Sequence, residues 1–402
     1  MPHSTFAPLA GLDAPAVRAE SPRAALLEAA QAPLIAGNRV RVLRDGCETL
    51  PAMFAAIRAA RRYIFLEYYV VEDVRSDGTS LFELLVDRSK AGVQVAMIFD
   101  ALGSSGTPAA AFERLRNHGI RLLQFNPINP FIVHARFHLN RRDHRKILIT
   151  DRGVAFVGGV NMSAVYQAQP PTPYRWRDTD LQLEGPAVAQ LQRLFLEQWV
   201  RHGGNPLADV DFSPPVARAG EERVGIIGSA GSKARPRYHD VLLRALRAAR
   251  VRVWMTAGYF LPTAAVLQEL EQAARRHVDV QLLLPSHNDS IAALAVQRSA
   301  YTTLLGSGVR IWERDTVILH SKSMIVDESW SVVGSSNLDC RSMLINDEVD
   351  AIVVGLATAG RLAQLFVDDI SQAQAIERAS WQRRPLAQKA QEAFWRVWQR
   401  LL

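Results

Sequence analysis

Cysteine is nearly missing from this 402-residue chain. Cys47 and Cys340 are the two it has, and neither sits in a metal-ligand spacing, so a disulfide framework and a cysteine-based metal centre are excluded and a reducing compartment is the default. Long hydrophobic runs are missing too. The nearest approach to a membrane span, "VRVWMTAGYFLPTAAVL" from Val251, is broken by Arg252 and Pro262. The first thirty residues lack the basic start and continuous apolar core of a signal peptide and read as a loose Ala/Pro-rich tail. A role at a membrane is therefore one played from its surface. Lysine is the third scarcity: of 47 basic residues only Lys90, Lys146, Lys233, Lys322 and Lys389 are lysines. In a chain that writes its positive charge as arginine, each lysine position that recurs in a pattern calls for an ammonium.

What is present argues for two ordinary domains with real cores, since the chain is 48% hydrophobic and long enough to bury them. A net charge of +7 favours anionic partners, whether nucleic acid, phospholipid headgroups or phosphorylated small molecules.

The chain is written twice. "IRAAR" (Ile57 to Arg61) precedes the strand-like "YIFLEYYVV", and "LRAAR" (Leu246 to Arg250) precedes "VRVWMTAGYFLP". "AGVQVAMIFD" matches "RHVDVQLLLP", and "HGIRLLQF" matches "SGVRIWER". Buried-strand runs alternate with amphipathic stretches in both halves, which predicts an α/β sandwich with a largely parallel or mixed sheet in each. The boundaries expected are a flexible tail over 1–35, a first domain over 36–202, a Gly/Pro-rich linker over 203–224, a second domain over 225–380 and an amphipathic helix over 381–402.

Within the repeat, "HRKILITDRGVAFVGGVN" from His144 pairs with "HSKSMIVDESWSVVGSSN" from His320. Lys146 and Lys322 follow two residues after the histidines, Asp151 and Asp327 seven after, and Asn161 and Asn337 seventeen after. On a strand, residues two apart project to one side, so each His and Lys face one ligand. Lysine is not a usual metal ligand, and no metal or cofactor is expected. The set suits a phosphodiester: lysine ammonium and asparagine amide hold phosphoryl oxygens, one imidazole attacks phosphorus, and the other protonates the leaving oxygen. Each histidine needs its second nitrogen anchored by a carboxylate, and aligning "RDTDLQLEG" with "NDEVDAIVV" selects Asp178 and Glu348. Asp151 and Asp327 belong to the candidate catalytic motifs, with fixing local backbone as the role expected of them.

These motifs resemble those of the phospholipase D superfamily and, within it, of bacterial cardiolipin synthases in a short form without N-terminal membrane-spanning helices. The resemblance extends over about residues 38 to 386, through "IFLEYYV", "DALGSSGTP", "LNRRDHRKILITD", "FVGGVNM", "WRDTDLQLEG", "GYFLP", "LHSKSMIVD" and "GSSNLDCRSMLINDE". It implies two tandem phospholipase D-like α/β/α sandwich domains related by a pseudo-twofold axis, with the active site at their interface. It also implies a phosphatidyltransferase that works without a metal through a phosphohistidine, His144 as nucleophile and His320 as acid/base. The acceptor implied is phosphatidylglycerol, the donor phosphatidylglycerol or phosphatidylethanolamine, and the location peripheral, on the cytoplasmic face of a bacterial inner membrane. Nucleic acid is not an expected partner, and one chain carries both histidines, so a monomer suffices. A phospholipase D-type hydrolase and a superfamily nuclease are the rival readings.

Two segments are candidates for membrane contact. "FNPINPFIVHARFHLNRR" (Phe125 to Arg142) reads equally as a lipid-facing loop or a packed cover. The C-terminal stripe Ala390, Phe394, Val397, Trp398 and Leu401 reads as an interfacial helix or as core packing.

Overall fold

The computed structural model describes residues 22–30, 32–127, 141–151, 153–167, 169, 174–207, 210, 217–229, 237–288 and 290–397. Apolar runs rich in β-branched and aromatic residues become strands, and fifteen of them form one mixed sheet. In chain order they are β1 (Ile35–Arg44), β2 (Tyr63–Tyr68), β3 (Gln94–Asp100), β4 (Arg121–Phe125), β5 (Lys146–Thr150), β6 (Val154–Gly158), β7 (Thr179–Glu184), β8 (Glu222–Ser229), β9 (Arg252–Ala257), β10 (Asp279–Pro285), β11 (Arg310–Arg314), β12 (Lys322–Val326), β13 (Trp330–Gly334), β14 (Glu348–Val354) and β15 (Gln374–Ala375).

From the central β8 and β1 pair outward, both wings run alike. One passes through β1, β7, β6, β5, β2, β3 and β4, the other through β8, β14, β13, β12, β9, β10 and β11, with β15 beyond it. In each wing the outer three of these strands pair in parallel and the rest antiparallel. The sequence pattern predicts a sheet in each half; the two are in fact joined edge to edge where β1 pairs antiparallel with β8. That pairing satisfies backbone groups that two separate sheets would have left open.

Helices Val188–Arg201 and Leu356–Ile370 hold equivalent places after β7 and β14. They close one shared core, in which Leu191, Phe195, Leu362 and Leu365 pack over the inner strands of both wings. Beyond the opposite face each wing has its own core, with Phe54 and Leu85 in the first and Leu242 and Leu270 in the second. Strands covered on both faces read as continuous apolar runs, and "YIFLEY" of β2 is buried at every position.

Three expectations change in detail. Residues 22–29, read as part of a loose tail, form a helix (Pro22–Ala29) whose Leu26 and Ala29 pack in the second wing's core, because small apolar side chains allow close approach to Arg237–Ala248. β8 begins at Glu222, inside the stretch read as linker. The C-terminal segment is two helices, Arg378–Gln382 and Leu386–Val397, broken at Pro385. In the second, Glu392 is buried and Trp395 packs near Leu261, Ala293 and Val296, while Leu386 is 80% and Phe394 58% exposed. Of the apolar stripe, Ala390 and Phe394 thus face outward; the Val397 side chain, Trp398 and Leu401, and the loop over 128–140, lie outside the described residues.

Candidate active site

Each motif histidine lies just before an equivalent strand, β5 or β12, and each is positioned by the other wing. The His144 N–H donates to the Asp347 carbonyl at 2.8 Å, and the His320 N–H donates to the Arg177 carbonyl at 2.8 Å. Asp347 and Arg177 are the residues immediately before Glu348 and Asp178. The backbone pairing therefore sets each carboxylate against a histidine from the opposite half. Nδ1 of His320 is 2.6 Å from Asp178 Oδ2, and Nδ1 of His144 is 3.0 Å from Glu348 Oε2 and 3.2 Å from the Ser335 carbonyl. With both Nδ1 atoms engaged, Nε2 is the nitrogen each imidazole has for chemistry. The two rings face one cavity of about 350 Å³, their centroids 6.5 Å apart.

The lysines sit beside their histidines as the strand spacing requires. Lys146 Nζ donates to the His144 carbonyl at 2.5 Å and lies over the Tyr69 ring; Lys322 Nζ is 2.9 Å from His320 Nδ1 and also donates to the His320 carbonyl. Burial is the largest influence on all four groups. It pushes Lys146 down to about 7 and Lys322 to about 8, and it lowers both histidines, His320 to about 3 and His144 well below its ordinary value, with the neighbouring ammonium groups adding to the effect. An anion held between these groups would favour their charged forms.

The two anchoring carboxylates differ. Burial raises Glu348 to about 7, partly opposed by Lys146, whereas at Asp178 the burial is outweighed by Lys322 and His320, and its carboxyl stays below the usual range. The glycine-or-serine position of the motif explains the local fit. A Cβ at Gly159 would stand 2.1 Å from Asp178 Oδ1, so only glycine leaves room for that carboxylate. At the matching position Ser335 donates its hydroxyl to Glu348 at 2.5 Å. Asp180 and Asp350, two residues beyond the anchors, are driven up by burial to about 8 and about 7.

Asn161 and Asn337 both line the cavity. Asn161 is braced by Val70 N–H and the Tyr166 hydroxyl, while the buried Asn337 Oδ1 accepts no hydrogen bond from the described residues. Asp151 and Asp327 are not among the cavity-lining residues. Asp151 accepts the Arg61 N–H at 2.9 Å, and Asp327 accepts the N–H groups of Arg250, Val251 and Arg252 at 2.8 to 3.2 Å, so both hold the chain entering β2 and β9.

Sequence reasoning missed Tyr166, whose hydroxyl lies 3.2 Å from His320 Nδ1, and Trp176, which packs on the same imidazole. Neither has a counterpart in the repeat that would have flagged it. Of the aromatic residues at or just after the ends of β2 and β9, Tyr69 and Tyr259 line the cavity, while Tyr68 and Phe260 are buried in the cores behind it; the register matches Tyr68 with Ala257, so they are not equivalent positions of the repeat. Among the described residues no group of three or more His, Cys, Asp and Glu side chains is arranged to hold a metal ion.

Comparison with known proteins fits this geometry. Residues 53–199 and 242–370 match a family model described as cardiolipin synthase, PLD-like domain. The chain is 35% identical over 350 residues to cardiolipin synthase A of Pseudomonas aeruginosa, covering 87% of this chain and 70% of that protein. It is 33% identical over 377 residues to a cardiolipin synthase of Geobacillus kaustophilus, covering 92% and 74%. Among solved structures, a phosphatidylserine synthase from Haemophilus influenzae has the same fold, with a TM-score of 0.67 at 14% identity over 95% of this chain and 100% of that one.

Proposed function

Because the chain belongs to the cardiolipin synthase family of PLD-like proteins and is a phosphatidyltransferase of that type, we propose that it moves a phosphatidyl group onto the glycerol hydroxyl of phosphatidylglycerol through a phosphohistidine on His144. The donor is phosphatidylglycerol or phosphatidylethanolamine. The observation that carries this reading is the pair of cross-anchored imidazoles facing one cavity.

In the first step His144 Nε2 attacks phosphorus, the bond from phosphorus to the headgroup oxygen breaks, and His320 gives its Nε2 proton to the departing alkoxide. In the second, neutral His320 takes the proton of the acceptor hydroxyl, the resulting oxygen attacks phosphorus, and the bond to His144 breaks. Lys146, Lys322, Asn161 and Asn337 hold the non-bridging oxygens throughout and stabilise the five-coordinate transition state. The ionised Asp178 supports His320 as the residue that must become an imidazolium. Glu348, held nearer neutrality, fixes the tautomer of His144 without drawing it into an ion pair, which suits a nucleophile.

The protein works from the membrane surface, on the cytoplasmic face. No described helix is long and apolar enough to cross a bilayer. The outward Leu386 and Phe394 share a helix with Trp395, which packs near the cavity-lining Tyr259 and Leu261. An apolar rim beside the cavity brings headgroups in while acyl chains remain in the bilayer. Incubating the purified protein with phosphatidylglycerol liposomes, with and without phosphatidylethanolamine, and reading the lipids by mass spectrometry tests the reading. Cardiolipin with free glycerol or ethanolamine is expected; phosphatidic acid alone would make it a hydrolase.

A further inference from the structure

The histidines, lysines and asparagines of the site are duplicated, but two arginines of the cavity wall, Arg142 and Arg341, are not, and Arg142 is turned to Asp100 Oδ1 at 3.5 Å and the Asn126 carbonyl at 3.3 Å. Four residues after the motif asparagine the first half has Val165 and the second has Arg341. Arg341 lines the same cavity as His144 and His320 and lies on the short helix Cys340–Leu344. The Asp339 carboxylate, two residues before it, accepts the Ser342 N–H at 2.7 Å and lies within electrostatic range of the guanidinium.

Duplicated donors suit one tetrahedral group held between two equivalent halves. A transfer between two lipids brings a second phosphate, one that does not react and sits a glycerol away from the first. Lys146 and Lys322, already lowered by burial, are committed to the reacting group. A guanidinium keeps its charge at every working pH and meets phosphate oxygens through two parallel N–H groups. Leu344, three residues on and 62% exposed, shares a helix face with Arg341 and gives the acyl end of a lipid an apolar contact.

We propose that Arg341 binds the unreacting phosphate of the acceptor phospholipid and so selects a lipid alcohol over water or a small alcohol. This rests on the phosphatidyltransferase reading above.

The test is a competition. The enzyme acts on phosphatidylglycerol in mixed micelles containing n-butanol, and cardiolipin and phosphatidylbutanol are quantified together. Both products leave the same phosphatidyl-enzyme, so their ratio is independent of how much of a variant is folded. In R341Q the ratio of cardiolipin to phosphatidylbutanol falls at least tenfold, and R341K, which keeps the charge but loses the fork, falls by less. An unchanged ratio in R341Q overturns the subsite alone, as does loss of both products together, which would put Arg341 in the common step. A wild-type enzyme that makes phosphatidylbutanol but no cardiolipin overturns the phosphatidylglycerol-acceptor reading and the subsite with it.

Discussion

Asp178 and His320 are 142 residues apart in the chain and 2.6 Å apart in the fold, and the bond between them crosses from one half to the other. Glu348 and His144 repeat the relationship in reverse at 3.0 Å. Neither half can orient its own histidine. Asp178→Asn leaves the shape intact but offers an amide where His320 needs a charge beneath its imidazolium. Loss of roughly 10²- to 10⁴-fold in kcat is expected, with unfolding by urea little changed. Glu348→Gln slows the reaction as well and shifts the pH–rate profile; a wild-type profile in that variant would reject Glu348 as the anchor.

Single substitutions of either histidine remove one of two unlike roles. His144→Ala forms no covalent intermediate, and His320→Ala forms one slowly if at all, since no acid meets the leaving oxygen. Quenching with labelled donor and mapping the label checks this. A phosphoramidate on His320 in the wild-type enzyme would reverse the assignment, and near-normal turnover in either variant would end the shared-site model.

The candidate set was legible because it is duplicated: a spacing that recurs at equivalent points of a repeat points to His144, Lys146, Asn161 and their partners, which the fold brings together. The anchors Asp178 and Glu348 were legible from strand alignment, but their crossing between halves was not, since it depends on His144 pairing with the backbone of Asp347 and His320 with that of Arg177. The edge-to-edge joining of β1 and β8 was hidden for the same reason: pairing between distant strands leaves no periodicity in either. Helical spacing in "LAQKAQEAFWRVW" marked an apolar face but could not say which way it points. That was decided by Glu392, turned inward to pair with Arg384 at 2.7 Å, which leaves Phe394 outside.

The lysines set a pH dependence. Both have folded values below the ordinary lysine range, about 7 for Lys146 and about 8 for Lys322, so each is a cation below its value and neutral above it. Anion binding is therefore strongest at low pH and is lost as pH rises through 7 to 8. Dimethyl phosphate, whose single charge is constant over this range, should inhibit competitively with an affinity that weakens between pH 6 and 9 by up to about tenfold per unit for each lysine. Lys322→Met should flatten the upper part of that dependence; an affinity independent of pH would show that both ammonium groups stay charged over this range.

The motif aspartates are expected to act on stability. Asp327 takes up a positive φ of 54° and gathers three backbone N–H groups at the start of β9. Asp327→Ala leaves those donors without their side-chain acceptor and should cost about 1–3 kcal/mol in urea unfolding. The folded fraction should keep its kcat, because Asp327 is not among the cavity-lining residues. Loss of kcat without loss of stability would place it in the chemistry after all.

Membrane contact is testable at the outward face of Leu386–Val397. Leu386 and Phe394 are 80% and 58% exposed, and burying a side chain of this size in an apolar phase is worth about 1.5–3 kcal/mol when complete. The gain is largest for a protein already drawn to anionic lipid by a net charge of +7. Replacing both residues with glutamate removes the apolar contact and adds two charges that the surface repels. Sedimentation with phosphatidylglycerol vesicles should show binding weakened by about tenfold or more. Turnover of short-chain substrate dissolved as monomers should stay near wild type, because neither side chain lines the cavity. Unchanged vesicle binding would move the contact surface away from this helix, and equal loss on monomeric and vesicle substrate would mean the helix supports the cavity through Trp395 instead.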